Sequence, residues 1–289
     1  LKLALRYLMA SSGLANCAWA GMAQAMANKV AMVLNVCFMF DSDQLKQLHN
    51  VYAGSVSHIF VFFAPLKVFM VTVRVWDLPT RLFHWALAAC VLGLFVTAEL
   101  GGNAMVWHFR LGFIVLSLLL FRVIWGIIGG HWSRWRQLTL RPEQVLAYLR
   151  GRWSPDRWAG HNPMGSWSVV GLLLMLTFQV TSGLISDDEI ANTGPLSFLV
   201  PGRWVSWATT WHKDWGQSII VLLVVLHLGA LAWYHFKKKH TLVPAMVHGD
   251  KLLPEGVIPS RDQAFQRLLA LGVFLLCALA VYLLVSISP

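Results

Sequence analysis

Four histidines, His84, His108, His212 and His227, lie inside or at the edges of long apolar runs. An ionisable side chain at membrane depth is costly, and where one persists it is usually functional. Neutral imidazole is a strong ligand for transition metals, and burial favours that neutral form because desolvation disfavours the charged one. A lone polar residue in a span can equally bond a neighbouring helix, so the chemical reading depends on whether the four form a set. The four cysteines, Cys17, Cys37, Cys90 and Cys277, are scattered and form no CxxC or CxxCH. They provide neither a zinc or iron–sulfur pattern nor a covalent c-type haem attachment.

The chain is 57% hydrophobic and 12% charged, with 15 Trp. A soluble domain carries about 25% charged residues, so the composition is that of a membrane protein. Crossing a core of about 30 Å takes about 20 helical residues. Four stretches qualify, roughly Thr80–Glu99, Met105–Ile128, Trp167–Ile185 and Gln217–His235, and a fifth, Arg267–Ile287, follows. They are continuous rather than alternating, which predicts helices and not a β-barrel. The fold class expected is an all-α membrane protein, a four-helix transmembrane bundle with a fifth C-terminal helix.

A net charge of +10 invites a nucleic-acid reading, but the charges alternate with the spans. Arg134, Arg136, Arg141, Arg150, Arg152 and Arg157 fill one loop, and Lys237, Lys238, Lys239, Lys251 and Arg261 follow the fourth span. Lys67, Arg74 and Arg81 precede or open the first, whereas the turn at Gly101–Ala104 has no Lys or Arg. The Asp187–Trp211 loop has only Arg203, beside Asp187, Asp188 and Glu189. The positive-inside rule places the start of helix 1, the Arg-rich loop and the Lys-rich segment in the cytoplasm. The acidic loop then faces outward, to the periplasm in a bacterium. No nucleic-acid partner is implied; lipid is the first partner.

Depth arithmetic sorts the histidines into pairs. At about 1.5 Å per residue, His212 and His227 are about 22 Å apart along the fourth helix and about 60° apart around it. Across the helix 1–2 hairpin, His84 and His108 differ in depth by about 16–20 Å. His84 therefore matches His227 near the inner leaflet, and His108 matches His212 near the outer one. His235 lies about 34 Å from His212, more than the hydrocarbon thickness, and is expected near the headgroups. The set suggests two haems, each held by two histidines. Gly112 and Gly216 follow His108 and His212 by four residues. In an α-helix that offset shares a face, so each glycine is expected to clear space for a flat macrocycle. Close helix packing through small residues is the plainer alternative. Arg110, Lys213 and Arg81 are placed to pair with haem propionates, with interfacial snorkelling the alternative for Arg81 and Lys213. Trp107, Trp125, Trp132, Trp204, Trp207, Trp211 and Trp233 read as an interfacial belt. His131, His161, His240 and His248 are expected to be solvated.

Residues 1–69 differ in character, with irregular apolar runs such as Val30–Phe40 that are too short to span. They are expected to be an extension, with the functional unit starting near Met70. His49 and His58 in this extension are not expected to be ligands. Residues 70–253 then form the four-helix unit, and 254–289 a linker and fifth helix.

VRVWDLPTRLFHW at 73–85, WHFRLGFIVLSLLLFRVIWGIIGG at 107–130 and WHKDWGQSIIVLLVVLHLGALAWYH at 211–235 resemble the bacterial cytochrome b561 superfamily. The likeness covers roughly residues 72–253 and is nearest to the branch of the cytochrome b subunit of nickel-dependent hydrogenases. It implies two b-type haems in the bacterial inner membrane, with His84, His108, His212 and His227 on the family's ligand positions. It also implies electron transfer between the quinone pool and a partner, either a periplasmic c-type cytochrome or a hydrogenase-like enzyme. On this reading the chain is an electron-transfer component with no bond-making chemistry of its own. The alternative is an autonomous quinone-linked oxidoreductase, such as a superoxide or small-donor oxidase. A cofactor-free transporter fits less well, because its spans would be expected to be broken at mid-membrane.

Overall fold

The computed structural model describes residues 69–151, 159–239 and 242–287. The chain divides into two units, Leu1–Lys67 and Val68–Pro289, and every described residue belongs to the second. The expectations for residues 1–69, and those for Cys17, Cys37 and His240, fall outside the described residues, Phe69 apart.

Among the described residues, five helical segments are long and apolar enough to cross a membrane: Leu78–Leu100, Gly102–Ile128, Pro163–Leu184, Gly202–Phe236 and Ala264–Val285. They comprise helices α1 (Leu78–Leu100), α2 (Met105–Ile128), α4 (Pro163–Leu184), α5 (Gly202–Thr210), α6 (Gln217–Phe236) and α8 (Ala264–Val285). The short helices α3 (Pro142–Leu149) and α7 (Val243–His248) and the strands β1 (Met70–Arg74) and β2 (Asp250–Pro254) connect them. Large apolar side chains such as Leu92, Leu222, Leu226, Leu268 and Leu276 are more than half exposed along these helices. In water so much apolar surface is untenable, whereas against lipid it is the expected exterior.

Local chemistry explains the helix starts. Asp77 caps α1, its carboxylate accepting from the Thr80 amide at 2.8 Å, and Pro79 sits in the first turn. Asn162 caps α4 in the same way, accepting from the Gly165 amide at 2.6 Å, with Pro163 opening the helix. These caps start α1 and α4 slightly before the apolar runs begin. The α1–α2 turn passes through Gly101 and Gly102, at φ of 60° and 51°, where a side chain would strain the backbone.

The fourth span departs from expectation. In place of a loop up to Trp211, it starts at Gly202 as α5, passes through a π-helical turn at Trp211–Gly216 and continues as α6. The helix extends backwards because each added residue gains a backbone bond at little further cost, and Pro201 is where it stops.

Helix α2 is the centre of the bundle. Val115, Leu118, Leu119, Phe121 and Trp125 are buried on it, packed by Phe83 and Leu87 of α1, Leu176 and Val180 of α4, and Ala270, Cys277 and Val281 of α8. Cys90 and Cys277 behave as small apolar core residues, and both are free. The fifth span is thus part of the bundle, on α2.

One end of the bundle is closed by a cross-linked platform. Strands β1 and β2 pair antiparallel, with Arg74 opposite Asp250. Asp262 accepts from Arg74 Nη1 at 2.9 Å, from the Leu78 amide at 3.1 Å and from Arg267 Nε at 3.1 Å. Ser260 Oγ donates to the Val75 carbonyl and accepts from the Trp132 amide. The lead into the first span, the Arg-rich loop and the segment after the fourth span therefore share one side, as the charge pattern required.

The Asp77 carboxylate is fully buried and does more than cap. It also accepts from the Gly130 amide at 2.9 Å, Ser133 Oγ at 2.8 Å and the Trp125 indole at 3.2 Å. Replacing Asp77 by Ala leaves these donors buried and unpaired, at about 1–3 kcal/mol each. The thermal unfolding midpoint of the purified protein in detergent should drop steeply in Asp77→Ala and less in Asp77→Asn, whose amide oxygen still caps. An unchanged midpoint in both variants would remove Asp77 from any account of stability.

Candidate functional site

At the end of the bundle opposite the platform, a cavity of about 400 Å³ opens between α1, α2, α4 and the fourth span. Val91, Leu94, Phe95 and Phe113 form apolar walls, and Glu99, Ser186, Asp188 and Lys213 lie among its polar lining. His108 and His212 both line it, with ring centroids 6.1 Å apart and planes at 86°. A metal–imidazole nitrogen bond of about 2.0–2.1 Å places two rings on opposite sides of one metal atom with centroids roughly 6.3 Å apart. The observed separation fits that arrangement.

Both imidazoles are oriented by backbone carbonyls. His108 Nδ1 lies 3.1 Å from the Leu94 carbonyl and 3.2 Å from Thr97 Oγ1. His212 Nδ1 lies 2.9 Å from the Gln179 carbonyl. A carbonyl oxygen only accepts, so in each ring Nδ1 carries the proton and the Nε2 lone pair is free to coordinate. This is the outer-shell arrangement of metal-binding histidines. Gly183 of α4 makes room for the His212 ring: a Cβ there would sit 2.7 Å from Cε1.

The two HxxxG glycines separate. Gly112 lines the cavity, and a Cβ there would meet open space. Gly216 instead is buried against Gln179 and Trp211, where a Cβ would collide with the Gln179 amide. The reason is the π turn. One turn on from His212 in a π-helix is i+5, so Gln217 and not Gly216 reaches the cavity with it. Arg110 also departs from expectation: it is exposed, lies 4.9 Å over the Trp107 ring and does not line the cavity. Two residues after His108 is about 200° around the helix, so the two face opposite ways. Of the cations considered at this end, Lys213 is the one at the cavity.

Toward the platform, His84 and His227 make no ring contact but lie in electrostatic reach of each other. His84 Nδ1 is buried without a hydrogen-bond partner. Arg122, on α2, is buried with Nη1 unpaired and its guanidinium 4.2 Å over the Trp135 ring. Arg81 donates to the Val247 carbonyl and lies 3.7 Å from Asp262, so it is largely engaged in the platform. His235 is exposed.

Sequence reasoning missed three residues. Gln179 and Gly183, both bearing on His212, were hidden because only the fold brings α4 to the π turn; an amide inside an apolar run was the available signal. His161, expected to be solvated, is partly buried, with its ring 4.7 Å from Trp76. Burial, then the positive charges of Lys251 and Arg122 and the nearby His227 and His84, push its pKa down to about 3. In the acidic loop, Asp188 accepts from the amides of Ile190, Ala191 and Asn192 and from the Asn192 side chain. Those bonds, the Asn192 side chain first, hold its carboxyl far below the usual range.

Residues 75–249 match the family described as prokaryotic cytochrome b561. Among curated relatives, the Probable Ni/Fe-hydrogenase 1 B-type cytochrome subunit of Escherichia coli (strain K12) is 23% identical over 228 residues, 66% of this chain and 95% of that protein. The Probable Ni/Fe-hydrogenase B-type cytochrome subunit of Azotobacter chroococcum mcd 1 is 27% identical over 219 residues, 63% of this chain and 90% of that protein. The corresponding protein of Bradyrhizobium diazoefficiens is 24% identical over 217 residues, 62% and 86% respectively. No solved structure matches the chain.

His161 makes the fold acid-sensitive. Folded, it stays neutral down to about pH 3; unfolded, it takes a proton below the ordinary histidine value of 6.5. The stability it contributes is complete above 6.5 and is lost as pH falls toward 3. The unfolding midpoint should therefore decline between pH 6.5 and 5, and His161→Phe should flatten that slope. An identical slope in the variant would show that other groups set the acid limit.

Proposed function

Since this chain belongs to the prokaryotic cytochrome b561 family, we propose that it is a dihaem b-type cytochrome carrying electrons across the membrane. The exchange is between the quinone pool and a redox enzyme on the outer side. His108 and His212 would hold one haem, and His84 and His227 the other. The observation that carries the reading is the His108–His212 pair: 6.1 Å between rings, both at one apolar cavity, each with its Nδ1 proton on a carbonyl.

A bound haem supplies one-electron chemistry that no side chain here provides. The chain's residues orient the ligands, exclude water and offset charge. Leu94, Phe95, Phe113 and Val180 give the outer site a low-dielectric wall, which with ligand hydrogen bonding is how a protein tunes a haem potential. Lys213 at the outer cavity and, near the platform, the unpaired Arg122 Nη1 and Arg81 Nε are cationic groups available to propionates. At the inner pair, His84 Nδ1 is buried without a hydrogen-bond partner, so this ring is not held as the outer two are.

The basic platform supports a cytoplasmic start of helix 1 and a place in the bacterial inner membrane. For the partner, a hydrogenase-type enzyme is favoured over a soluble c-type cytochrome. The relatives carry hydrogenase names, and the Asp188 carboxylate is engaged within its own loop and is a poor docking charge.

Haem content by pyridine haemochrome tests the reading. The parent should hold two haems per chain. His108→Ala and His212→Ala should each lose the same one, His84→Ala and His227→Ala the other, and His235→Ala neither. A parent with one haem, or loss on changing His235 but not His227, would overturn the assignment.

A further inference from the structure

We infer that Gln179 of α4 is the positioning residue of His212, holding both the orientation of its imidazole and the π turn that presents it. The inference rests on the reading that His212 ligates the outer haem.

The two residues are bonded twice, in opposite senses. Gln179 Nε2 donates to the His212 carbonyl at 2.8 Å, and His212 Nδ1 donates to the Gln179 carbonyl at 2.9 Å. The amide cannot be turned round, because its oxygen would then face the carbonyl oxygen. Ser182 Oγ, which donates to the same Gln179 carbonyl at 2.8 Å, lies 3.4 Å from His212 Nδ1 and closes the group.

The need for the first bond comes from the π turn. A π turn carries one residue more than the α-helical ladder around it, and that mismatch disturbs the carbonyl pairing on which α-helix depends. At Trp211–Gly216 the Gln179 side chain supplies a donor from the neighbouring helix. It does so at a cost, because Gln179 Oε1 is buried with no partner. A leucine would fill the space without that cost but would not supply the bond that Nε2 makes to His212. Two glycines fit the same device: Gly216 leaves room for the Gln179 amide, and Gly183 leaves room for the imidazole. Without the Gln179 donor, the π turn is free to relax toward α-helix. That relaxation rotates His212 and breaks its Nδ1 bond. A ligand imidazole deprived of its acceptor is a weaker donor to ferric iron, which raises the reduction potential.

The planes of His108 and His212 are nearly perpendicular, at 86°. Perpendicular imidazoles leave the two π-symmetry d orbitals of low-spin ferric iron nearly degenerate, so the EPR signal is strongly anisotropic and responds to ring rotation. The test uses purified holoprotein. In Gln179→Met, one of the two haems should lose anisotropy and rise in midpoint potential, while the other keeps the parent's values. Thr181→Val, exposed on the same helix, should change neither. Two haems with parental spectra and potentials in Gln179→Met would overturn the inference. If Gln179→Met does not retain both haems, Gln179→Asn decides, since its amide falls one methylene short of the His212 carbonyl. A change confined to the outer haem supports the positioning role; no change, or equal disruption of both haems, refutes it. Failure of the underlying reading looks different: a parent with one haem, or His212→Ala that keeps both.

Discussion

The buried carboxylate of Asp77 is the constraint on which the rest of the bundle depends. A carboxylate in a low-dielectric interior is tolerated only when its acceptor sites are filled. Here they are filled by groups from three places in the chain: the first turn of α1, the indole of Trp125 near the end of α2, and the loop at Gly130–Ser133. Meeting that single requirement pins the start of one central helix to the end of the next. Gly130 is glycine because a Cβ there would overlap the carboxylate. With α1 held at this end, His84 is held seven residues in, and the run of α1 to Gly101 sets where His108 returns.

The opposite end is built on different physics. The platform is rigid because ion pairs and backbone bonds cross between distant segments, with Asp262 and Ser260 as shared acceptors. The cavity end has few such links, and the fourth span buries little of itself there, Ile220 being its one buried apolar residue among those described in α6. The cavity of about 400 Å³ lies between this span and α1, α2 and α4, and the two Gln179–His212 bonds tether the span to α4.

Much of this was legible beforehand. Five apolar runs, their sidedness and the pairing of His108 with His212 follow from hydropathy, charge placement and a rise of about 1.5 Å per residue. Those quantities depend on composition and count along a helix, and neither needs the fold. Two of the failures come from assuming an unbroken α-helix or an isolated loop, while Arg110 fails because two residues along a helix is about 200° of rotation. The i+4 rule places Gly216 beside its histidine, and the π turn at Trp211–Gly216 suspends that rule. The extra residue also turns His212 by about 100° relative to His227, from about 60° on one side to about 40° on the other, which leaves the two broadly aligned. His161 lies among arginines in sequence, which points to solvent, whereas the fold packs its ring against Trp76.

Composition, charge placement and residue spacing are enough to establish a helical membrane protein with one basic side and with histidines at two depths. Each of those properties is a sum or a spacing along one chain. The neighbours that orient each imidazole come from the fold: the carbonyls of Leu94 and Gln179, the gap left by Gly183, and Lys213 rather than Arg110 at the cavity. Those contacts join residues on different helices. A π turn, a cap or a buried carboxylate shifts such contacts by a residue or a rotation that no spacing rule carries.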